Sequence, residues 1–153
     1  MKSYGTTIKT RKESSVILVT GVLWFDFEEG RVMIVALMLG REGSKGFPGK
    51  NTHSLLGRPM MSYPLLAAQS AKLVDEIYVS TDSDNIKNVA QQYGAKIIDR
   101  PPELATKEAL GEDAFTHGFR CISEQLGAPP DIMVLLFCNA PTILNKTIDE
   151  GIH

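Results

Sequence analysis

The chain has 153 residues, which suits one domain large enough to bury about two-thirds of the surface that its unfolded form exposes. Its 16 Lys and Arg residues against 18 Asp and Glu residues give a formal net charge of -2, so no global field attracts nucleic acid and anion binding must be local. The only cysteines, Cys121 and Cys138, are too few for a disulfide scaffold and indicate reduced thiols in a cytoplasmic protein.

Residues 1–31 are interpreted as an N-terminal appendage, and residues 32–153 as the folded domain. The apolar run from Val16 to Phe25 follows four cationic side chains, as in a secretory signal, but no cleavage site of small residues comes after it. Ten residues are also too short to span a bilayer as a helix. The segment is therefore predicted to be an extra strand or a translated upstream stretch, and no membrane attachment is expected.

From Val32 onward, short apolar blocks alternate with helical patterns. Strands are predicted at Val32–Leu39, Glu76–Ser80, Ala95–Asp99 and Asp131–Phe137, and helices at Ser62–Leu73, from Ser83 or Asp84 to Gly94, from about Glu112 to Leu126, and from near Asn145. Strands this apolar are covered on both faces, which predicts a parallel sheet between two helical layers, a three-layer α/β/α fold. Ligands bind beyond the carboxyl ends of such strands, so the loops starting at Gly40, Thr81, Arg100 and Cys138 should share one rim.

The loop after the first of these strands reads "LGREGSKGFPGKN" and is rich in glycine and positive charge. It does not fit a Walker A loop, because Ser44 and Asn51 stand where glycine and the magnesium-binding hydroxyl belong. It does not fit a dinucleotide-binding fingerprint either, because its glycines recur at every third residue. Glycines nevertheless let successive N–H groups turn inward around an anion, and Arg41, Lys45 and Lys50 add charge. The loop is predicted to bind polyphosphate; the alternative is a mobile surface loop with solvated charges.

Three ordered motifs resemble the CMP-sugar cytidylyltransferase family, which includes the acylneuraminate cytidylyltransferases. "LMLGREGSKGFPGKN" is similar to the family's A-R-x-G-S-K-G-x-P-x-K-N, and "VSTD" and "RPPELA" follow at the usual spacing. The likeness runs from about Ile34 to Pro141. It implies a Rossmann-like nucleotidyltransferase fold and transfer of CMP from CTP to a 2-keto sugar acid, such as sialic acid or a related nonulosonate, with Mg²⁺ as cofactor and pyrophosphate as product.

The resemblance assigns roles to residues at the matching positions. The implied CTP-binding residues are Gly40, Arg41, Gly43, Ser44, Lys45, Gly46, Asn51, Arg100, Ala109 and Gly111. Among these, Arg100 and the backbone near Ala109 and Gly111 are implied to contact cytosine. The implied catalytic residues are Arg41, Lys50 and Asn51, with Lys50 stabilising charge at the α-phosphate. The alternative for Arg100 is an ion pair with Asp99 or Glu103.

Asp82 and Asn139 are the candidates for contacts with the sugar, although each residue type is equally typical of a helix cap. After the fourth strand, "LFCNAPTIL" departs from the family's L-Q-P-T-S-P-L-R, which leaves the acceptor open. No metal ligand is assigned. The resemblance implies that the chain is the N-terminal portion of a longer, homodimeric enzyme. An inactive nucleotide-binding module, or a nucleotidyltransferase of the same fold that uses another NTP or sugar, remains the alternative.

Overall fold

The computed structural model describes residues 16–19, 22–25, 32–43 and 47–153. The chain divides into two units, residues 1–32 and 33–153. In the first unit, strand β1 (Val16–Val19) pairs antiparallel with strand β2 (Val22–Phe25). Among the described residues, no helix combines the length and the apolar character needed to cross a membrane.

The second unit carries a four-stranded parallel sheet and a small hairpin. Its described strands are β3 (Ile34–Leu39), β4 (Ser54–Leu55), β5 (Arg58–Pro59), β6 (Glu76–Thr81), β7 (Lys96–Asp99) and β8 (Ile132–Phe137). Its described helices are α1 (Ser62–Ser70), α2 (Asp84–Gln92), α3 (Gly111–Leu126) and α4 (Asn145–Ile152), with a 3₁₀ turn at Pro102–Leu104. The sheet order is β7-β6-β3-β8, and every neighbouring pair is parallel.

Both faces of the central strand β3 are buried, which explains its unbroken apolar sequence. Ala36 and Met38 belong to the core that includes residues of α1, α2 and α4. Val35 and Leu37 point to the other face and pack with Ile122 of α3. The predicted three-layer α/β/α fold with a mainly parallel sheet is therefore confirmed.

The ends of α2 follow the sequence signals, whereas the end of α1 does not. Ser83 is the N-cap of α2, and Gly94, at φ +71°, follows the helix in the left-handed conformation. Helix α1 ends at Ser70 because Ala71 is extended, so the predicted end at Leu73 was wrong by three residues.

The hairpin β4–β5 was not predicted, and it supports the glycine-rich loop. Its two turn residues, Leu56 and Gly57, have φ values of +50° and +83°, as a type I′ turn requires. Directly after the hairpin, the amide of Met61 donates to the carbonyl of Asn51 at 2.9 Å. This bond fixes the end of the loop against the start of α1.

The strand register brings the four predicted loops to one edge of the sheet. Leu39 at the end of β3 lies opposite Ser80 of β6 and Phe137 of β8. Thr81, the last residue of β6, lies opposite Asp99, the last residue of β7. The prediction of a shared rim at the carboxyl ends of the strands is confirmed.

Candidate functional site

The glycine-rich loop leaves β3 at this rim and uses glycine where the backbone requires it. The amide of Gly40 donates to the carbonyl of Ser80 at 3.1 Å, which continues the β3–β6 pairing into the loop. Gly43 and Gly49 have φ values of +80° and +68°, a conformation that side chains disfavour. The predicted ligands Ser44, Lys45 and Gly46 lie outside the described residues.

A cavity of about 50 Å³ opens between this loop and the start of α2. Its lining residues are Arg41, Glu42, Gly43, Gly49, Lys50, Asn51, Thr52, Ser83, Asn85 and Ile86. The structure therefore brings together Arg41, Lys50 and Asn51, which the resemblance implied to be catalytic. The lining holds two cations, Arg41 and Lys50, and one carboxylate, Glu42, so its side-chain charge is net positive and suits an anion.

Asn51 lines this cavity, and its side chain has no hydrogen-bonding partner among the described residues. The residue is only 9% exposed, and its backbone carbonyl is used by Met61. Within the described part of the chain, its side-chain amide has no hydrogen bond. A side-chain amide at a cavity wall can donate to and accept from a ligand placed there.

Arg100 is buried at the same rim without a carboxylate partner among the described residues. It is 7% exposed, its Nε donates to Ser80 Oγ at 3.2 Å, and its Nη2 donates to the Ser80 carbonyl at 2.7 Å. Burial lowers the pKa of Arg100, and the negative charge of Asp82 partly offsets that effect. Because a guanidinium has five N–H donors, those not bonded to Ser80 remain for a ligand.

The alternative role for Arg100, an ion pair, is not found in the described structure. Asp99 instead accepts a salt bridge from Lys87 at 2.7 Å. Glu103 is exposed and has no ion pair with Arg100 among the described residues. The guanidinium is therefore held by Ser80, and no carboxylate among the described residues contacts it.

Cys138 lies beside the loop but is unsuited to nucleophilic catalysis. Burial raises the pKa of its thiol to about 12, although Arg100 and Lys50 partly oppose the shift. The thiol donates to the carbonyl of Leu39 at 3.5 Å. A neutral, buried thiol packs as a small apolar side chain.

The two candidate sugar contacts are exposed at the rim. Asp82 follows β6, and its Oδ1 accepts a hydrogen bond from the amide of Glu42 at 3.0 Å, which ties the glycine-rich loop to β6. Asn139 follows β8. The alternative that Asn139 caps the next helix is wrong, because Leu144 is the N-cap of α4. Neither residue's role toward a sugar is tested by these positions.

The two backbone positions implied to read the base differ in availability. The amide of Ala109 donates to Thr106 Oγ1 at 3.1 Å, so only its carbonyl is unused there. Gly111 begins α3 and lines an open apolar cleft of about 630 Å³ beside β8. The roles of Ala109 and Gly111 in reading the base stay predictions.

Comparison with known proteins agrees with the motifs. Residues 35–119 match the family model described as "Cytidylyltransferase". The chain belongs to this family. It is 47% identical over 124 residues to N-acylneuraminate cytidylyltransferase B of Danio rerio. The match covers 77% of the chain and 27% of the relative. It is also 47% identical over 64 residues to CMP-N,N'-diacetyllegionaminic acid synthase of Legionella pneumophila, covering 42% of the chain and 28% of the relative.

A solved structure shares the fold of this cytidylyltransferase chain. The structure of a CMP:2-keto-3-deoxy-manno-octonic acid synthetase complexed with CTP matches with a TM-score of 0.62 and 23% identity. The match covers 77% of the chain and 45% of that structure. The chain thus spans between about a quarter and half of the length of these three proteins.

Sequence reasoning missed two features of this candidate site. The first is Ser80, which holds Arg100 through two hydrogen bonds. The second is the start of α2, where Ser83 and Asn85 form a wall of the cavity. The motif "VSTDSDN" contains these residues, but only the strand register shows which neighbours they meet.

Proposed function

We propose that the chain binds CTP at this rim and serves in the transfer of CMP to a sugar acid, with release of pyrophosphate. Family membership supports cytidylyl transfer, and the site geometry supports a nucleotide. The observation that carries the proposal is Arg100, a buried cation with free donors at the same edge as the glycine-rich loop. One end of such a site binds phosphates, and the other offers a planar fork for the acceptors of a base edge.

The reaction requires alignment and charge stabilisation more than covalent chemistry by the protein. The hydroxyl oxygen of the sugar acid attacks the α-phosphorus, the bond to pyrophosphate breaks in line with the attack, and the hydroxyl proton passes to water. Arg41 and the loop amides hold the triphosphate, and Lys50 stabilises charge at the transferred phosphate. Asn51, which lines the same cavity, donates its side-chain amide to the nucleotide.

We propose that Mg²⁺ binds together with the nucleotide. The described residues contain no group of three His, Cys, Asp or Glu side chains that could form a protein-only metal site. Mg²⁺ bound with nucleotides uses phosphate and water oxygens with one or two carboxylates, so Asp82 at the rim fits the role of a carboxylate ligand. When bound, the ion would neutralise charge on the triphosphate.

The acceptor is proposed to be an acidic 2-keto sugar. The names of the relatives specify different sugar acids, neuraminate and legionaminate, so they do not select one. Phe137, the last residue of β8, and Asn139 in the following loop stand where the resemblance has glutamine and threonine. Exposed at the rim, Asn139 offers both donor and acceptor to the sugar. The cytoplasmic location and the homodimer stay predictions.

Calorimetric titration of the 153-residue chain with CTP, UTP, ATP and GTP tests the nucleotide assignment. We expect CTP to bind most tightly, because a site that hydrogen-bonds one base edge rejects a base with the wrong pattern. Equal affinity for all four nucleotides would contradict the assignment of CTP.

Pyrophosphate release from CTP with a panel of neuraminate, legionaminate, pseudaminate and Kdo-like acids tests the transfer. Release with one acid identifies the acceptor. CTP binding without release for any acid would instead support the alternative of a nucleotide-binding module without turnover.

A further inference from the structure

The helix side of the cavity has no assigned role in the resemblance. Ser83, Asn85 and Ile86, from the first turn of α2 and its cap, line the same cavity as Arg41 and Lys50. A helix N-terminus carries partial positive charge, and its first amides point out of the helix toward any ligand placed there. A helix N-terminus alone does not make a binding site. Whether there is one here depends on whether the first amides of α2 are free and on which side chains line the cavity with them.

The first amides of α2 have no partner in the described structure. Ser83 is extended and its side chain makes no capping bond. The first helical bond is donated by Lys87 to the carbonyl of Ser83 at 3.0 Å, so the amides of Asp84, Asn85 and Ile86 precede the helical ladder. Helix α2 has nine residues, long enough for its peptide dipoles to add.

A second, independent observation lies across the cavity. Asn51 is nine-tenths buried, lines the same cavity, and has no side-chain hydrogen bond among the described residues. Its neighbours Arg41 and Lys50 supply positive charge from the loop side. Glu42 also lines the cavity and opposes an anion, whereas the carboxylate of Asp84 is drawn to Lys87 at 3.4 Å.

We propose that the N-terminus of α2 is the second wall of the phosphate site, where the amides of Asn85 and Ile86 and the side chain of Asn51 bind one phosphoryl group of the nucleotide. This inference rests on the proposed function and adds to it a helix that the loop motif does not include. The cavity of about 50 Å³ is far smaller than the roughly 300–1,000 Å³ of a pocket for a whole small molecule, so it suits one small group of the ligand.

The substitution Asn85→Asp tests the proposal. A carboxylate in the first turn stabilises the helix but repels a phosphate bound at its amides, so stability and binding should change in opposite directions. Asn88→Asp is the matched control, because it adds the same charge to an exposed asparagine of α2 one turn further along. The unaltered chain and both variants are titrated with inorganic pyrophosphate, CTP and, by displacement, cytidine.

We expect Asn85→Asp to weaken binding of pyrophosphate and CTP by about tenfold relative to Asn88→Asp, with unchanged cytidine binding and an unfolding temperature that does not fall. Equal affinities of the two variants for pyrophosphate would overturn the inference while leaving the proposed function intact. If the unaltered chain binds neither pyrophosphate nor CTP, the proposed function fails first, and the inference falls with it.

Discussion

The two sides of the sheet's carboxyl edge differ in how they are built. On the side of α2, the cavity is lined by cations, backbone amides and the polar side chain of Asn51, which local turns hold in place. On the side of α3, the cleft along β8 is lined mainly by apolar groups, and Leu135 and Phe137 are 39% and 57% exposed. The comparison indicates that a charged part of the rim suits the phosphates of a ligand, whereas the apolar part leaves hydrophobic surface open to solvent.

The largest expected effect is on binding, from Arg100→Ala. Loss of charge-assisted hydrogen bonds to the base should weaken CTP binding by about 10- to 100-fold. The free energy of unfolding should change less, because the loss of two hydrogen bonds to Ser80 is partly offset by removal of a buried charge that has no ion pair among the described residues. Calorimetry and urea unfolding measure the two quantities on the same samples.

Arg100→Lys is the control for this experiment, because it keeps the charge and removes the planar fork. We expect it to lose selectivity for CTP over UTP while it retains part of the affinity. Unchanged selectivity in both variants would show that Arg100 does not contact the base.

Gly118→Ala should show the reverse behaviour, a loss of stability without a loss of binding. A Cβ at this position of α3 would lie 2.6 Å from Leu37 Cδ2 in the buried core. Overpacking costs about 1–3 kcal/mol, which exceeds the gain of up to about 1 kcal/mol from replacing a helical glycine. A net loss of about 1–2 kcal/mol is expected in urea unfolding.

Gly151→Ala is the matched control in α4, since an added Cβ there would meet nothing within 4 Å. It should leave stability unchanged or raise it by less than about 1 kcal/mol. If the two glycine variants unfold at the same urea concentration, the close packing of α3 on β3 is wrong.

Ser80→Ala should have an intermediate effect, confined to recognition of the base. It removes the bond from Arg100 Nε but leaves the bond from Nη2 to the backbone carbonyl. We expect CTP affinity to fall by about three- to tenfold and the preference for CTP over UTP to narrow. Ser123→Ala is the control: it also removes one serine hydroxyl bond, the one that Ser123 Oγ donates to the carbonyl of Phe119 in α3, and should leave that preference unchanged.

The smallest effect is expected from Phe137→Gln in the apolar cleft. Because Phe137 is more than half exposed, the free energy of unfolding should change by no more than about 0.5 kcal/mol. Binding of a fluorescent apolar dye should fall, since the residue lines the cleft. Leu144→Gln is the control, because it replaces a similarly exposed residue outside the cleft. If dye binding falls equally in both variants, the dye does not report on the cleft, and the distinction between the two regions is lost.

Much of the fold was predictable because local patterns and tertiary burial agree. The unbroken apolar run of β3 indicated a strand covered on both faces, and Ser83 and Gly94 marked the ends of α2. The shared rim followed from parallel topology alone. The end of α1 was missed because the sequence keeps helical character beyond Ser70, although the backbone turns extended at Ala71.

The site was predictable as a set of residues but not as a set of contacts. The motif identified Arg41, Lys50, Asn51 and Arg100, and the structure brings the first three to one cavity. The bond from Arg100 to Ser80 joins residues 20 positions apart and depends on the register of β6 with β7. No sequence pattern encodes that register, so Ser80 could be found only in three dimensions.

The close approach of Gly40 to Cys138 makes these two positions a coupled pair for protein engineering. A Cβ at residue 40 would lie 2.9 Å from Cys138 Sγ, so an alanine there needs a thiol that shifts or a smaller neighbour. Replacing Cys138 by alanine first opens the space that a later Gly40→Ala change would fill. The order in which the two substitutions are made then decides whether the intermediate protein is strained, although the final pair is the same.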